Sequence, residues 1–232
     1  MDEVLTTHFW LGLGTIIWVN IILSGDNAVV IALAARSLPA RQQRLAILWG
    51  AGAAVVLRII LTVVAVKLLE FPYLKLAGAA ALLWIAVKLL VPEEGGGDEV
   101  QSSSHLVGAI KTILIADLVM STDNVIAVAA AAKGSIVLLV LGLLISIPLV
   151  IFGATMLMKL MERYPIIITL GAAILGWTAG DLAVTDPAVA GWIKANLHWL
   201  DSFYLTHIAG AVSVVAVGRW LAGRKPAAPE KA

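Results

Sequence analysis

The sequence predicts an all-α membrane protein with seven transmembrane helices, built as a 3+3 inverted-topology repeat plus one extra C-terminal helix. Three observations carry this prediction: a very apolar composition, seven apolar stretches of spanning length, and a motif that occurs twice. Of the 232 residues, 61% are hydrophobic and 13% are charged, whereas a soluble domain carries about 25% charged residues. Mean hydropathy is +0.99. A water-soluble globule and a disordered chain are therefore both excluded.

The apolar stretches divide the chain into spans, because a helix needs about 20 apolar residues to cross the hydrocarbon core. They cover residues 9–34, 45–69, 73–91, 106–132, 136–161, 165–183 and 203–221. We treat residues 1–232 as a single transmembrane domain. An acidic, Gly/Ser-rich loop at 92–104 is expected to be flexible, the segment 187–203 to form a short helix on the membrane surface, and the tail 222–232 to be disordered.

Lys and Arg predict the orientation, since cytoplasmic loops carry an excess of both. With the N-terminus outside and the C-terminus inside, nine basic residues lie inside and four outside. The inner set is Arg36, Arg41, Arg44, Lys159, Arg163, Arg219, Arg224, Lys225 and Lys231; the outer set is Lys67, Lys75, Lys133 and Lys194.

Several functions are excluded by what the sequence lacks. There is no Cys, so disulfides, thiolate metal sites and thiol catalysis are absent. A net charge of +1 without a basic stripe argues against nucleic acid as a partner. No GxxxxGK[ST] or HExxH pattern occurs, so neither ATP hydrolysis nor an intramembrane enzyme is expected.

An internal repeat relates the two halves of the chain. LSGDNAVVIALA at 23–34 matches MSTDNVIAVAAA at 120–131, and LAGAAALLW at 76–84 matches TLGAAILGW at 169–177. The repeats are 9–91 and 105–183, with three helices each. Three is odd, so the second copy enters the membrane from the opposite side, a design that transporters use around a midplane site. The seventh helix, 203–221, has no counterpart.

Polar residues within the spans mark the candidate site, because a charge at the centre of a span costs about 2.5–3.5 kcal/mol on insertion scales. They occupy equivalent positions in the two copies. The pairs are Asn20 with Asp117, Ser24 with Ser121, Asp26 with Asp123, and Asn27 with Asn124.

Helical spacing places Asp117, Ser121 and Asn124 on one face at i, i+4 and i+7, and their first-copy equivalents do the same. Asp26 and Asp123 lie about 120° off those faces. They converge if the helices are locally broken, for which Gly25 supplies a natural point in the first copy and the Ser121–Thr122 hydroxyls supply backbone partners in the second. Broken helices also release carbonyl oxygens.

All these donors are oxygens, and neither motif contains His or Cys. Hard cations such as Mg²⁺, Ca²⁺ and Mn²⁺ prefer such sites. We interpret Asp26, Asp117 and Asp123 as direct ligands, and Asn27, Asn124, Ser24, Ser121 and Asn20 as further members of the metal site. The alternative is that the polar groups only join helices by hydrogen bonds.

Other intramembrane polar residues leave choices open. Arg58 is either a counter-ion for a carboxylate or part of a structural pair. Lys88 and Asp181 occupy equivalent third-span positions and either pair, gate a pathway or, as we favour for Lys88, extend to the interface. For His207, packing is favoured over metal ligation.

The two motifs, LSGDNAVVIALAA and DLVMSTDNVIAVAAAA, resemble the signature motifs of the TerC family of integral membrane proteins, close to its bacterial YjbE-type branch. The resemblance covers residues 10–183. It implies a seven-helix bundle of the LysE-like transporter superfamily in the bacterial cytoplasmic (inner) membrane, and a role in metal-ion homeostasis, with manganese efflux as the activity. Many members have an acidic residue where Asn20 stands, so this site carries one negative charge fewer.

The sequence thus leads to a divalent cation exporter, for Mn²⁺ by the resemblance, that works by alternating access without a tightly bound cofactor. The expected partners are the metal ion and the lipid bilayer, and the Ala/Gly-rich faces permit a monomer or a homodimer. Two alternatives stay open: an exporter of amino acids or another small solute, and a non-transporting membrane scaffold in the metal-stress response.

Overall fold

A computed structural model describes residues 7–64, 72–91, 99–132, 135–197 and 204–224. These residues form helices and connecting turns, with no strand among them, so the all-α prediction is confirmed. In chain order the helices are α1 (Thr7–Leu23), α2 (Gly25–Ala35), α3 (Ala40–Val64), α4 (Leu74–Leu90), α5 (Glu99–Ala132), α6 (Ile136–Arg163), α7 (Ile166–Thr185), α8 (Ala190–Asn196) and α9 (Leu205–Arg224).

Five elements of the described chain have the length and composition of membrane spans. Four are single helices: the Ala40–Thr62 part of α3, and the whole of α6, α7 and α9; the fifth is the α1–α2 pair. The predicted spans 73–91 and 106–132 correspond to α4 and α5, which are not in this set, so the count of seven is not confirmed. The short α8 bears out a helix within 187–203, and its Trp192 is exposed. Of the predicted loop 92–104, residues 99–104 are instead the start of α5 and residues 92–98 lie outside the described residues. Of the predicted disordered tail 222–232, residues 222–224 are instead the end of α9 and the rest lies outside the described residues.

The first span is broken, as Gly25 predicts. Helices α1 and α2 meet at Ser24 with a bend of 50°. Ser24 leaves helical geometry (φ −102°, ψ 2°), and its N–H donates to Ile21 O at 3.3 Å in a single tight turn. The second copy differs, because α5 runs unbroken for 34 residues through 121–124. The expected break at Ser121–Thr122 is therefore wrong.

The short helix α2 lies in the centre of the bundle. Every residue from Asn27 to Ala35 is buried, and the helix contacts α3, α5, α6 and α7 as well as α1. By contrast, large apolar side chains such as Trp18, Trp49 and Phe152 point outward. An apolar exterior around a buried inner helix is the arrangement expected in lipid.

Helices α7 and α9 approach each other through glycines. A methyl group added at Gly176 would lie 2.4 Å from the Gly210 carbonyl oxygen, and one added at Gly180 would lie 2.3 Å from that of Thr206. Small residues permit such backbone contact between membrane helices. The seventh predicted helix is thereby fixed against the third helix of the second repeat.

Asp186, directly after α7, ties the end of this helix to the start of α4. Its carboxylate accepts hydrogen bonds from the N–H groups of Ala188 (2.7 Å), Tyr73 (3.0 Å) and Leu76 (3.1 Å). Tyr73 has a left-handed backbone, with φ 69°, which costs free energy for a non-glycine residue. Burial tends to raise the pKa of Asp186, but these N–H donors outweigh it and hold the pKa below its ordinary value.

Candidate metal-binding site between the two motifs

Four of the predicted site residues surround one buried cation, Arg58 of α3. Its guanidinium donates to Asp117 Oδ1 (2.5 Å), Asn20 Oδ1 (2.8 Å), Ser121 Oγ (3.0 Å) and Ser24 Oγ (3.2 Å). Only 3% of Arg58 is exposed, and its four partners are buried as well. Arg58 and Asp117 thus form an ion pair in the interior of the bundle, and the cluster joins both motif copies.

The helical spacing explains why these side chains meet. Asn20 and Ser24 are one turn apart, and the Ser24 hydroxyl donates to Asn20 Oδ1 at 3.5 Å. The second copy repeats the pattern, with the Ser121 hydroxyl donating to Asp117 Oδ2 at 3.1 Å. The predicted i, i+4 faces therefore confront each other across Arg58.

Ser146 of α6 completes this cluster, and the sequence analysis missed it. The Asn20 amide donates to Ser146 Oγ, and that hydroxyl donates to the Leu143 carbonyl at 2.7 Å. Ser146 is fully buried. A lone serine in an apolar span carries little signal, although its place two residues before Pro148 within α6 marks a polar, irregular point in that helix.

A second contact between the copies forms at the break itself. The Asn124 amide of α5 donates to the Leu23 carbonyl at 3.1 Å. In an unbroken helix that carbonyl would accept from the N–H of Asn27. Here the Asn27 N–H donates instead to Asp26 Oδ1 at 2.8 Å. The break thus releases a carbonyl oxygen, as predicted, and a motif residue of the other copy takes it up.

Asn27 is the exception among these polar groups. Asn27 is only 4% exposed, yet neither its Nδ2 nor its Oδ1 atom has a hydrogen-bond partner in the described part of the chain. An unsatisfied buried amide costs about 1–3 kcal/mol. It stands in the first turn of α2 beside Asp26, a carboxylate that interacts electrostatically with both Arg58 and Asp117.

The structure brings together Asn20, Ser24, Asp117 and Ser121, and places Asn124 at the break with Asp26 and Asn27. Asp123 has its backbone in α5, but its side chain lies outside the described residues. Among the described side chains, no three His, Asp or Glu residues are close enough together to hold a metal ion. The site as it stands is an oxygen-rich polar cluster that Arg58 partly neutralises.

Asp181, His207 and Lys88 lie outside this cluster. Asp181 Oδ1 lies 3.2 Å from His207 Nε2, so it contacts α9 and not Lys88. The His207 ring packs against Trp177, with centroids 5.0 Å apart, and against Tyr204 at 5.3 Å. Lys88 instead lies with its amine 5.6 Å from the Trp84 ring centroid. His207 therefore packs and also pairs with an acid, away from the motifs.

Comparison with known proteins identifies the family. The model of the integral membrane protein TerC family matches residues 5–225. The chain belongs to the TerC family. It is 43% identical over 178 residues to the membrane protein YjbE of Bacillus subtilis, covering 77% of this chain and 81% of YjbE. It is thus a multi-pass integral membrane protein, and the resemblance seen in the motifs is confirmed.

More distant relatives extend over similar lengths. The membrane protein YkoY of Bacillus subtilis is 25% identical over an alignment of 253 positions, covering 100% of this chain and 78% of YkoY. The inner membrane protein YgdQ of Escherichia coli is 26% identical over 183 residues, covering 72% of this chain and 77% of YgdQ. No solved structure matches the chain.

Proposed function

We propose that this protein transports a divalent metal ion, with Mn²⁺ efflux as its activity. The observation that carries the proposal is the junction of the two motifs at the α1–α2 break. There the buried Asn27 amide, beside Asp26, has no partner among the described residues, while Asn124 of the other copy donates to the released Leu23 carbonyl. A buried unpaired amide next to a carboxylate is costly in a structural contact, and it is what a ligand set needs.

The donor chemistry supports a hard cation. Carboxylate, amide, hydroxyl and carbonyl oxygens surround the junction, and no thiol or imidazole belongs to the motifs. Mn²⁺, Mg²⁺ and Ca²⁺ suit such donors better than Zn²⁺ or Cu²⁺. Asp26, Asp117 and Asp123 are the proposed ligands, and the ion is cargo that comes and goes, so no resident cofactor is part of the proposal.

The mechanism proposed is alternating access around this site, within seven spans arranged as two inverted three-helix repeats and a seventh helix. The packing supports the repeat: α3 packs on α5, α6 packs on α1 and α2, and α4 packs on α7. Each of these contacts joins one half to the other in the way a pseudo-twofold axis requires. The N-terminus is proposed outside the bacterial inner membrane and the C-terminus inside.

Amino-acid export is the alternative from the same class of protein. A zwitterion needs a free cation for its carboxylate, and Arg58 is the central candidate. Because the guanidinium already bonds to Asp117, Asn20, Ser24 and Ser121, the arrangement favours a metal ion over an amino acid. A scaffold or an enzyme receives no support from the arrangement of the described residues, and we propose neither.

Ion flux into proteoliposomes tests the proposal. We expect Mn²⁺ flux in the native protein, measured beside Mg²⁺, Ca²⁺ and Zn²⁺, and a loss of at least about tenfold in Asp26→Ala and Asp123→Ala. Asp181→Asn is the matched control. It also changes an acid within a span, but Asp181 pairs with His207 and not with the motif residues. Equal Mn²⁺ flux in all four proteins would reject the site.

A further inference from the structure

The Arg58 guanidinium is hydrogen-bonded to oxygen atoms of the proposed ion-binding site. Four of the eight proposed site residues are bonded to its guanidinium, each through an oxygen atom. Four of the five N–H donors of an arginine are thereby used. An oxygen that accepts a short hydrogen bond from a cation is a poorer ligand for a divalent ion at 2.0–2.6 Å, because the two positive charges repel each other and share the electron density of one oxygen.

We propose that Arg58 is a tethered counter-cation that competes with the transported ion for these oxygens, so that a divalent cation binds only as the guanidinium leaves them. This inference rests on the proposed function. It assigns Arg58 a role in ion affinity and release that a helix-joining ion pair does not have.

The formal charges agree with such an exchange. Asp26, Asp117 and Asp123 together carry −3, and Arg58 carries +1, which leaves −2 for one divalent ion to neutralise. Arg58 is also the right residue type for the task. Its guanidinium is less strongly hydrated than an ammonium group, so it can re-enter a buried site.

Release of the ion follows from the same competition. When the guanidinium returns to Asp117 and Asn20, it removes two ligands from the bound ion and adds a repelling charge. Arg58 should therefore weaken equilibrium binding and accelerate release. A residue that only joins helices would leave both quantities unchanged.

The test compares the Mn²⁺ affinities of the native full chain and of Arg58 variants, each purified in detergent and measured by calorimetry. We expect Arg58→Gln to bind Mn²⁺ at least about tenfold more tightly than the native protein and to release it more slowly in proteoliposomes. Arg58→Lys separates competition from simple charge repulsion. It keeps the charge but offers a compact ammonium that cannot contact all four oxygens, so competition predicts tighter binding here too, whereas repulsion alone predicts none.

Lys88→Gln is the matched control, because it removes a positive charge from another span whose amine lies by Trp84. Native-like affinity in both Arg58 variants, or equal tightening in Lys88→Gln, overturns the inference while leaving the proposed function intact. A structure with Mn²⁺ bound and Arg58 still on Asp117 also overturns it. Absence of Mn²⁺ binding in the native protein rejects the proposed function itself. If Arg58→Gln does not fold, Arg58→Lys decides.

Discussion

The two copies of the motif differ in the one place where they would be expected to agree. The first is split at Ser24 into α1 and α2 with a 50° bend, whereas the second lies within the unbroken α5. Equivalent side chains consequently have different roles: the Asn124 amide donates to a carbonyl across the interface, whereas the Asn27 side-chain amide has no partner in the described chain. The same motif therefore leaves an unpaired side-chain amide in the first copy, as far as the chain is described, and in the second copy supplies a hydrogen bond that stabilises the break.

The largest expected difference between the copies concerns their acids. Asp117→Leu leaves Arg58 as an unpaired buried charge, so we expect a loss of about 3–5 kcal/mol in the free energy of unfolding. Asp26→Asn should cost far less, because the Asp26 carboxylate accepts from backbone N–H groups of its own turn, that of Asn27 among them, and an amide oxygen can accept from them as well. Thermal unfolding in detergent measures both, and ion flux should fall in both variants.

The contrast between the acids fails if Asp26→Asn destabilises the protein as much as Asp117→Leu does. Asp117→Asn provides an intermediate case, because the amide oxygen can still accept from Arg58 while the charge is lost. Its stability should therefore lie between the native protein and Asp117→Leu.

The asparagines give the next largest effect. Asn124→Ala removes the partner of the Leu23 carbonyl and should lower the free energy of unfolding by about 1–3 kcal/mol. Asn27→Ala removes an amide that has no partner in the described part of the chain, so stability should stay unchanged or rise, while Mn²⁺ affinity falls. Parallel unfolding and binding measurements on the two variants test this, and the same stability loss in both would mean that the copies are equivalent.

Asp186 gives the smallest effect and serves as a reference outside the motifs. Because its pKa is lowered on folding, its contribution to stability is complete above the unfolded pKa of about 3.9 and is lost as the pH falls through the lower folded pKa. Asp186→Asn should remove this acid-dependent part of the stability and leave ion flux near native. An unchanged unfolding profile between pH 5 and pH 3 would contradict it.

The sequence allowed part of this structure to be predicted. Composition and periodicity indicated helices, the i, i+4 spacing placed Asn20 with Ser24 on one helix face and Asp117 with Ser121 on another, and Gly25 located the break. These features depend on local chemistry and on helical geometry, both of which can be read along the chain.

Other features could not be predicted because they depend on how the helices pack. Nothing in the Ser121–Thr122 pair distinguishes a continuous helix from a broken one, since both residues tolerate either. The position of Arg58 among four acceptors requires the spatial relation of α1, α3 and α5. For Asp186, the sequence shows only an acid after an apolar helix, whereas its N–H partners at Tyr73 and Leu76 are more than 100 residues away.

The enclosed position of α2 has a consequence for biogenesis. At 11 residues it is about 16 Å long, too short to span a bilayer alone, so it must enter the membrane together with α1. The helices that enclose it, α5, α6 and α7, are synthesised later. We therefore expect that the first motif stays only partly buried until the second half of the chain has been inserted. Truncation of the chain after α4 should then leave α2 exposed as a segment that quality-control proteases can recognise.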